Sequence, residues 1–308
     1  MVALVHLAGG IGNLVFATPL LIALNELGYT VDLRLSADYD QAADLFHGWS
    51  VVRRIISGVE ACSPGSPGYD VIVPAIPPFL WSRFRCFYPP RPNSISRPPD
   101  ALFYENEQAY YLAFAQALSY PANRHPEYSL PIGPGEFDGV TNNTIVLAPG
   151  CKTGEMAYKR WPGFVELAAL LSDVAVVGTA DDLAQSARGP LVFPPLAHNF
   201  IGRLSLRETA ELMAGAGLVI ANDRGLAHVA AAIGVPTMIL FGPTPDRTLG
   251  PMPPNVTVLR SGLPCEPCWF GRRFEKCRKN IDCLRNLDPG HVASMALRLT
   301  QPVERGLV

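Results

Sequence analysis

The 308 residues are 48% hydrophobic and 17% charged, which excludes a disordered chain and leaves apolar surface for two cores of about 150 residues each. A formal net charge of −2 excludes a general attraction to nucleic acid, so no nucleic-acid partner is expected and any anion site must be local. Met1 to Asn25 lacks a basic n-region and is interrupted by Gly9, Gly10 and Gly12, so no secretory signal is read and a cytoplasmic protein is expected.

Val2 to Leu7 is an apolar run, a glycine loop follows, and Asn13 to Leu27 carries Leu14, Ala17, Leu20, Leu21 and Leu24 at helical spacing. Strands are predicted at 29–35, 51–56 and 70–74, with a short helix at 41–49 between the first two, and the alternation implies a parallel sheet. The stretches 63–68 and 89–99, rich in Pro, Gly or Ser, read as surface loops. A helix is predicted at 105–119. The Pro- and Gly-rich stretch from Tyr120 to Asn143 holds the domain boundary, giving domains 1–130 and 131–308. A second alternating series follows: strands at 144–148, 174–177, 218–221 and 237–241, and helices at 161–171, 206–214 and 225–233. Leu218 to Phe241 is apolar but contains Asp223, Arg224 and His228, each costly in a bilayer, and reads as buried strand, helix and strand. The fold class expected is therefore α/β, with ligand loops at the carboxyl ends of strands.

Three segments stand where such loops fall. In Gly9-Gly10-Ile11-Gly12-Asn13 the glycines allow close backbone approach to a ligand at a helix N-terminus. The spacing is not that of a dinucleotide fingerprint, and a tight turn with Asn13 as N-cap also fits. In Ala148-Pro149-Gly150-Cys151-Lys152-Thr153-Gly154, followed by Lys159-Arg160-Trp161-Pro162, several cations and backbone N–H groups converge before a helix, as a diphosphate requires. A basic surface loop is the alternative. Ala221-Asn222-Asp223-Arg224-Gly225-Leu226-Ala227-His228 places charged groups in an apolar strand-turn-helix, where they need partners or a ligand. A satisfied core histidine is the alternative for His228.

These segments, with Ser205 to Leu212 and Phe241-Gly242-Pro243-Thr244, resemble in kind and order glycosyltransferase family 9, the heptosyltransferases of lipopolysaccharide core assembly and their relatives. The resemblance is dense in the C-terminal half and thin between Asp38 and Asn143. It implies a GT-B architecture, two Rossmann-like domains facing a cleft, with the acceptor in the N-terminal half and the nucleotide in the C-terminal half. It implies an inverting transfer of a sugar, with ADP-heptose the first candidate, from a nucleotide diphosphate donor to a hydroxyl on a glycan, glycolipid or protein. No metal or other cofactor is implied for catalysis, and a glycolipid acceptor would bring contact with a membrane surface. Carried over by position, Lys159 contacts the donor phosphates, and Asp223, Arg224, Gly225, Leu226 and His228 form the turn around the diphosphate. Gly150, Thr153, Gly178 and Thr179 lie near the phosphates and nucleoside, while Gly9, Gly10, Gly12 and Asn13 form the acceptor loop. Asn13, Lys159 and Asp223 are the candidate catalytic residues. The cations fit the chemistry, because negative charge builds on the departing diphosphate.

Two positions depart from the family pattern. Gly12-Asn13 stands where Gly-Asp is usual, and an amide cannot act as a general base at neutral pH. Another carboxylate or a histidine takes that role, the acceptor needs little activation, or Asn13 only orients it. Arg224 stands where a small hydroxyl residue is common and is expected to add a bidentate phosphate contact. Two rivals share the architecture: a sugar-nucleotide epimerase, which would act on donor alone, and a catalytically degenerate sugar-nucleotide-binding protein.

Four of the seven cysteines fall at Cys265-x2-Cys268-x8-Cys277-x5-Cys283. Four thiols at this spacing suit a tetrahedral structural zinc or iron site, with Arg272, Arg273, Lys276, Arg278 and Lys279 offsetting thiolate charge. Reduced cysteines in a loop are the alternative. Heptosyltransferases that modify autotransporter proteins are similar in carrying a four-cysteine, iron-containing finger.

Overall fold

The computed structural model describes residues 1–56, 68–88, 92–150, 159–181, 191–193, 198–268, 277 and 279–300, with the side chains of 37–39 set aside. The chain divides into two compact units: Met1–Ile132 with Asp246–Pro253, and Gly133–Pro245 with the chain from Pro254 onward.

The first unit is built on four parallel strands, β1 (Val2–Leu7), β2 (Thr30–Leu35), β3 (Val52–Ile56) and β4 (Val71–Ala75), in the order β3-β2-β1-β4. β1 is central and buried from Ala3 to Leu7, which explains its nearly unbroken apolar run. β3 is an edge strand and carries Arg53 and Arg54 outward, charges that discourage edge pairing. Both arginines reach the fully buried Asp32, Arg53 at 2.7 Å through two nitrogens and Arg54 at 2.6 Å, while the Tyr69 hydroxyl donates at 2.9 Å. Burial alone would raise the Asp32 carboxyl, but these bonds hold it below its ordinary value.

The helix expected over 13–27 is two helices, α1 (Ile11–Phe16) and α2 (Thr18–Glu26), broken at Ala17. Pro19 at the start of α2 lacks an N–H and its ring would collide with a preceding carbonyl in a continuous helix. The predicted helix at 41–49 is a 3₁₀ stretch over Ala37–Leu45. A helix at Pro78–Phe84, α3, was not anticipated. The helix expected over 105–119 is likewise two, α4 (Asp100–Glu105) and α5 (Glu107–Gln116), because extended Asn106 stops one and caps the other by accepting from the Ala109 N–H at 2.9 Å.

The second unit holds six parallel strands, β5 (Ile145–Ala148), β6 (Val174–Val176), β7 (His198–Asn199), β8 (Leu218–Asn222), β9 (Thr237–Leu240) and β10 (Val256–Leu259), in the order β10-β9-β8-β5-β6-β7. Among the described residues its helices are α6 (Phe164–Leu170), α7 (Leu206–Ala214), α8 (Gly225–Ala232), α9 (Asp282–Arg285) and α10 (Pro289–Thr300). Leu147, Trp161, Phe164, Leu218, Ile220, Leu240, Leu284 and Val292 share one buried cluster. α7 falls where the sequence places it. Ser205 accepts the Glu208 N–H at 3.2 Å and Glu208 accepts the Ser205 N–H at 2.7 Å, a reciprocal cap. α6 starts three residues later than expected, at Phe164, with Gly163 as its N-cap; the Trp161 ring packs so closely there that a Cβ on residue 163 would stand 2.3 Å from it. Among the described residues no helix is long and apolar enough to cross a membrane.

In both sheets the chain starts at an inner strand, builds outward, and returns to the strand's other side. The reversals fall between β1 and β4 and between β5 and β8, and such points are where open α/β sheets bind ligands.

Candidate functional site

At the reversal in the second unit, β5 ends at Ala148 and β8 at Asn222. The fully buried Asn222 side chain ties the two loops together. Its Oδ1 accepts the Trp161 backbone N–H at 2.8 Å, and its Nδ2 donates to the Pro149 carbonyl at 2.9 Å. Trp161 is anchored from behind, donating from Nε1 to the Leu287 carbonyl at 3.0 Å and meeting Phe164 edge to face. The residue two before Trp161 is thereby held over the neighbouring turn. Lys159 Nζ lies 2.6 Å from Asp223 Oδ2 and 3.4 Å from the Asp223 carbonyl.

Asp223 is buried and gathers three side chains. Besides Lys159, its Oδ2 accepts the Thr244 hydroxyl at 2.6 Å, and its Oδ1 lies 3.2 Å from His228 Nε2. Burial alone would raise this carboxyl, but the Lys159 ammonium and then His228 hold it far below the carboxylate range. Thr244 is fixed in turn by Arg260, which donates to the carbonyls of Thr244 at 2.8 Å and Gly242 at 3.0 Å and lies over the Phe241 ring. Arg224 is the N-cap of α8 in extended conformation, and no side chain caps that helix. Arg224, Gly225 and Leu226 are half-buried, so the helix N-terminus combines N–H groups with a cation.

Gly150 is half-buried and follows β5, while Gly178 and the exposed Thr179 follow β6, the next strand outward. Gly178 has φ +143°, and its carbonyl accepts the Gly202 N–H at 2.7 Å. Lys152 and Thr153 lie outside the described residues. The structure thus brings Lys159, Asp223 and His228 into direct contact. Asn222, Thr244 and Arg260 complete the cluster, and sequence reading did not assign them to the site: a lone polar residue at a strand end looks the same whether it binds ligand or loops.

At the reversal in the first unit, Gly9 has φ +109°, and Gly10, not Asn13, is the N-cap of α1. Asn13 lies one turn in. Its Oδ1 accepts the Gly10 N–H at 2.8 Å and its Nδ2 donates to Glu107 Oε1 at 2.6 Å. Glu107 is 6% exposed and was not singled out in the sequence. One strand back, His6 is buried, with Nδ1 bonded to the Tyr88 hydroxyl and no partner for Nε2 among the described residues. Burial, then the Arg34 guanidinium, lowers its pKa to about 3.

Cys265, Cys268, Cys277 and Cys283 line one pocket beside Glu266. The expected metal cluster is not formed there: among the described residues no group of three or more His, Cys, Asp or Glu side chains is arranged to hold a metal. Cys265 is exposed whereas Cys283 is buried. Burial, then Glu266 and the other cysteines, pushes the Cys283 thiol up to about 12, and burial likewise raises Cys268, which favours protonated thiols. Of the basic residues expected to offset thiolate charge, only Lys279 falls within the described residues.

Two parallel sheets, each presenting a glycine-bearing loop at its point of reversal, define the GT-B architecture of nucleotide-sugar glycosyltransferases. Residues 105–277, more than half of the chain, match the family Glycosyltransferase family 9 (heptosyltransferase), and the chain belongs to it. It is similar to lipopolysaccharide heptosyltransferase 1 of Pseudomonas aeruginosa, 47% identical over 103 residues, 30% of this chain and 29% of that protein. The aligned part spans about a third of the length of the curated heptosyltransferases it matches. In fold it is similar to the ADP-heptose lipopolysaccharide heptosyltransferase II of Escherichia coli, with TM-score 0.70 and 19% identity over 97% of this chain and 98% of that one. It is also similar to the iron-containing dodecameric glycosyltransferase TibC of enterotoxigenic E. coli H10407, with TM-score 0.67 and 16% identity over 97% of this chain and 75% of that one.

Proposed function

We propose that this protein is an inverting glycosyltransferase that moves heptose from ADP-heptose to a hydroxyl of a lipopolysaccharide-type glycan acceptor. The observation that carries the reading is the 2.6 Å contact between Lys159 and Asp223, which joins the two segments that carry the family resemblance at one strand reversal. The relatives support the donor: their names are those of heptosyltransferases, and TibC has been seen with ADP-D-beta-D-heptose. They lend no support to the epimerase or to the degenerate binding protein.

In this reading the diphosphate lies against the N-terminus of α8. Lys159 has three donor hydrogens and bridges Asp223 to a phosphate oxygen, and Arg224 adds a two-pronged contact. The N–H groups of Gly225 and Leu226 complete the anion cradle. As the anomeric bond breaks, charge grows on the departing diphosphate, and these fixed groups stabilise it without reorganising. The positive charge needed comes from the chain itself, so no cofactor is required. Asp223 is a positioning residue: an anion held by Lys159, Thr244 and His228 keeps the ammonium aimed. Gly150, Gly178 and Thr179 border the nucleoside, and Gly9 to Asn13 receive the acceptor. A cytoplasmic location, with contact to a membrane surface through a glycolipid acceptor, belongs to the same reading.

A thermal-shift panel of ADP, UDP, GDP and their sugars tests it, because a ligand that binds only the native state raises its melting point. ADP and ADP-heptose are expected to give the largest shifts, lost in Lys159→Ala. No shift with any nucleotide would end the transferase reading, and sugar released or epimerised from donor alone would turn it to the epimerase. A structural zinc or iron at the four cysteines is proposed alongside, supported by their common pocket and by the iron of TibC. Cys265, Cys268, Cys277 and Cys283 would hold the ion, which would cross-link this loop. Elemental analysis is expected to find it in the wild type and not in Cys283→Ser; metal-free wild type ends that part.

A further inference from the structure

The acceptor loop of this chain carries an amide, Asn13, and the structure supplies a carboxylate beside that amide from elsewhere. The Gly10 N–H can only donate, so it fixes Asn13 Oδ1 toward itself at 2.8 Å and turns Nδ2 toward Glu107 Oε1 at 2.6 Å. Glu107 stands 94 residues away in sequence, in the first turn of the ten-residue helix α5, with Asn106 capping that helix. A carboxylate in a first turn sits at the positive end of the helix dipole, and here it also accepts the Asn13 N–H. Ile11, Gly12 and Asn13 are half-buried and Glu107 is 6% exposed, so an acceptor would approach the pair from the side of the loop.

The other basic groups near this sheet are unsuited. His6, with its pKa lowered to about 3, is a weak base at neutral pH. Asp32 is taken up by Arg53, Arg54 and Tyr69.

We propose that Glu107 is the general base of the transfer, held in place by Asn13; the proposal rests on the transferase reading above. The acceptor hydroxyl gives its proton to the Glu107 carboxylate as its oxygen bonds to the anomeric carbon. The bond from that carbon to the diphosphate oxygen breaks, and its electron pair leaves with the nucleoside diphosphate. Glu107 then returns the proton to water. The pairing also accounts for the amide: an aspartate at position 13 would set a second carboxylate against the first, with no N–H to donate between them and like charges opposed.

Glu107→Gln and the swapped double variant Asn13→Asp/Glu107→Gln test this with ADP-heptose and a hydroxyl acceptor. Glu107→Gln is expected to lower kcat by about 10²- to 10⁴-fold, with ADP binding and melting temperature kept and the acid limb of the pH profile of kcat/KM lost. The swapped variant, with its carboxylate returned to the loop, is expected to regain at least about tenfold. A folded Glu107→Gln protein within about threefold of wild-type kcat overturns the proposal, as does a swapped variant no more active than Glu107→Gln. Failure of the transferase reading shows differently, in wild-type protein that neither binds nor turns over a nucleotide sugar, and it takes the proposal with it.

Discussion

Asn222 holds the backbone of Trp161 by one end of its amide and that of Pro149 by the other, so a single strand-end side chain sets the spacing between the two loops of the proposed donor site. Asn222→Ala leaves a buried N–H and a buried carbonyl unpaired, at about 1–3 kcal/mol each. Chemical denaturation is expected to show that loss, and calorimetric titration a weaker ADP affinity. A variant with unchanged affinity would mean that the spacing of these loops does not matter to the ligand.

Lys159→Met strands the buried Asp223 charge. Breaking a buried ion pair from one side costs about 3–5 kcal/mol, so the variant is expected to melt well below the wild type as well as to bind ADP poorly. The Asp223 carboxyl is depressed in the folded protein, so its contribution is complete above the unfolded pKa of about 4 and declines as pH falls below that value. Denaturation midpoints should show a steep acid limb in the wild type and a shallower one in Lys159→Met.

His6 titrates in a higher window. Its folded pKa is about 3 against 6.5 for the free side chain, so the unfolded chain takes up the proton first. Stability from this group is complete above about pH 6.5 and falls by about 1.4 kcal/mol per pH unit from there toward pH 3. His6→Phe is expected to flatten the stability profile in that interval; an unchanged slope would place the titration elsewhere.

Ser205→Ala removes one half of the reciprocal cap on α7. About 1 kcal/mol of stability should be lost, with ADP affinity unchanged. A loss of affinity in this variant would tie α7 to the ligand.

The sequence shows β1, β5, β8 and β9 plainly, because strands buried on both faces read as apolar runs with glycines or charges at their ends. It hides β7, a two-residue strand, and β10, four residues among prolines and polar groups. It suggests one long helix across Ala17 because apolar spacing continues past the break that Pro19 imposes. Asp223 and His228 stand out as charges in an apolar stretch, whereas Thr244 does not, since a threonine after Gly-Pro has many uses. Glu107 is the least legible: its meaning comes from the side chain of Asn13, and only the fold brings those two positions together.

The segment Asp246–Pro253 belongs with the first unit although it lies among the strands of the second in sequence. Gln108, next to Glu107, donates to the carbonyls of Leu249 at 2.9 Å and Pro251 at 3.0 Å. The helix end that carries the proposed base is therefore fastened by residues encoded far downstream. Chimaeras between relatives joined at a single point near residue 132 would inherit one parent's α5 and the other's fastening, so exchanging the first unit intact requires transplanting two stretches of gene together.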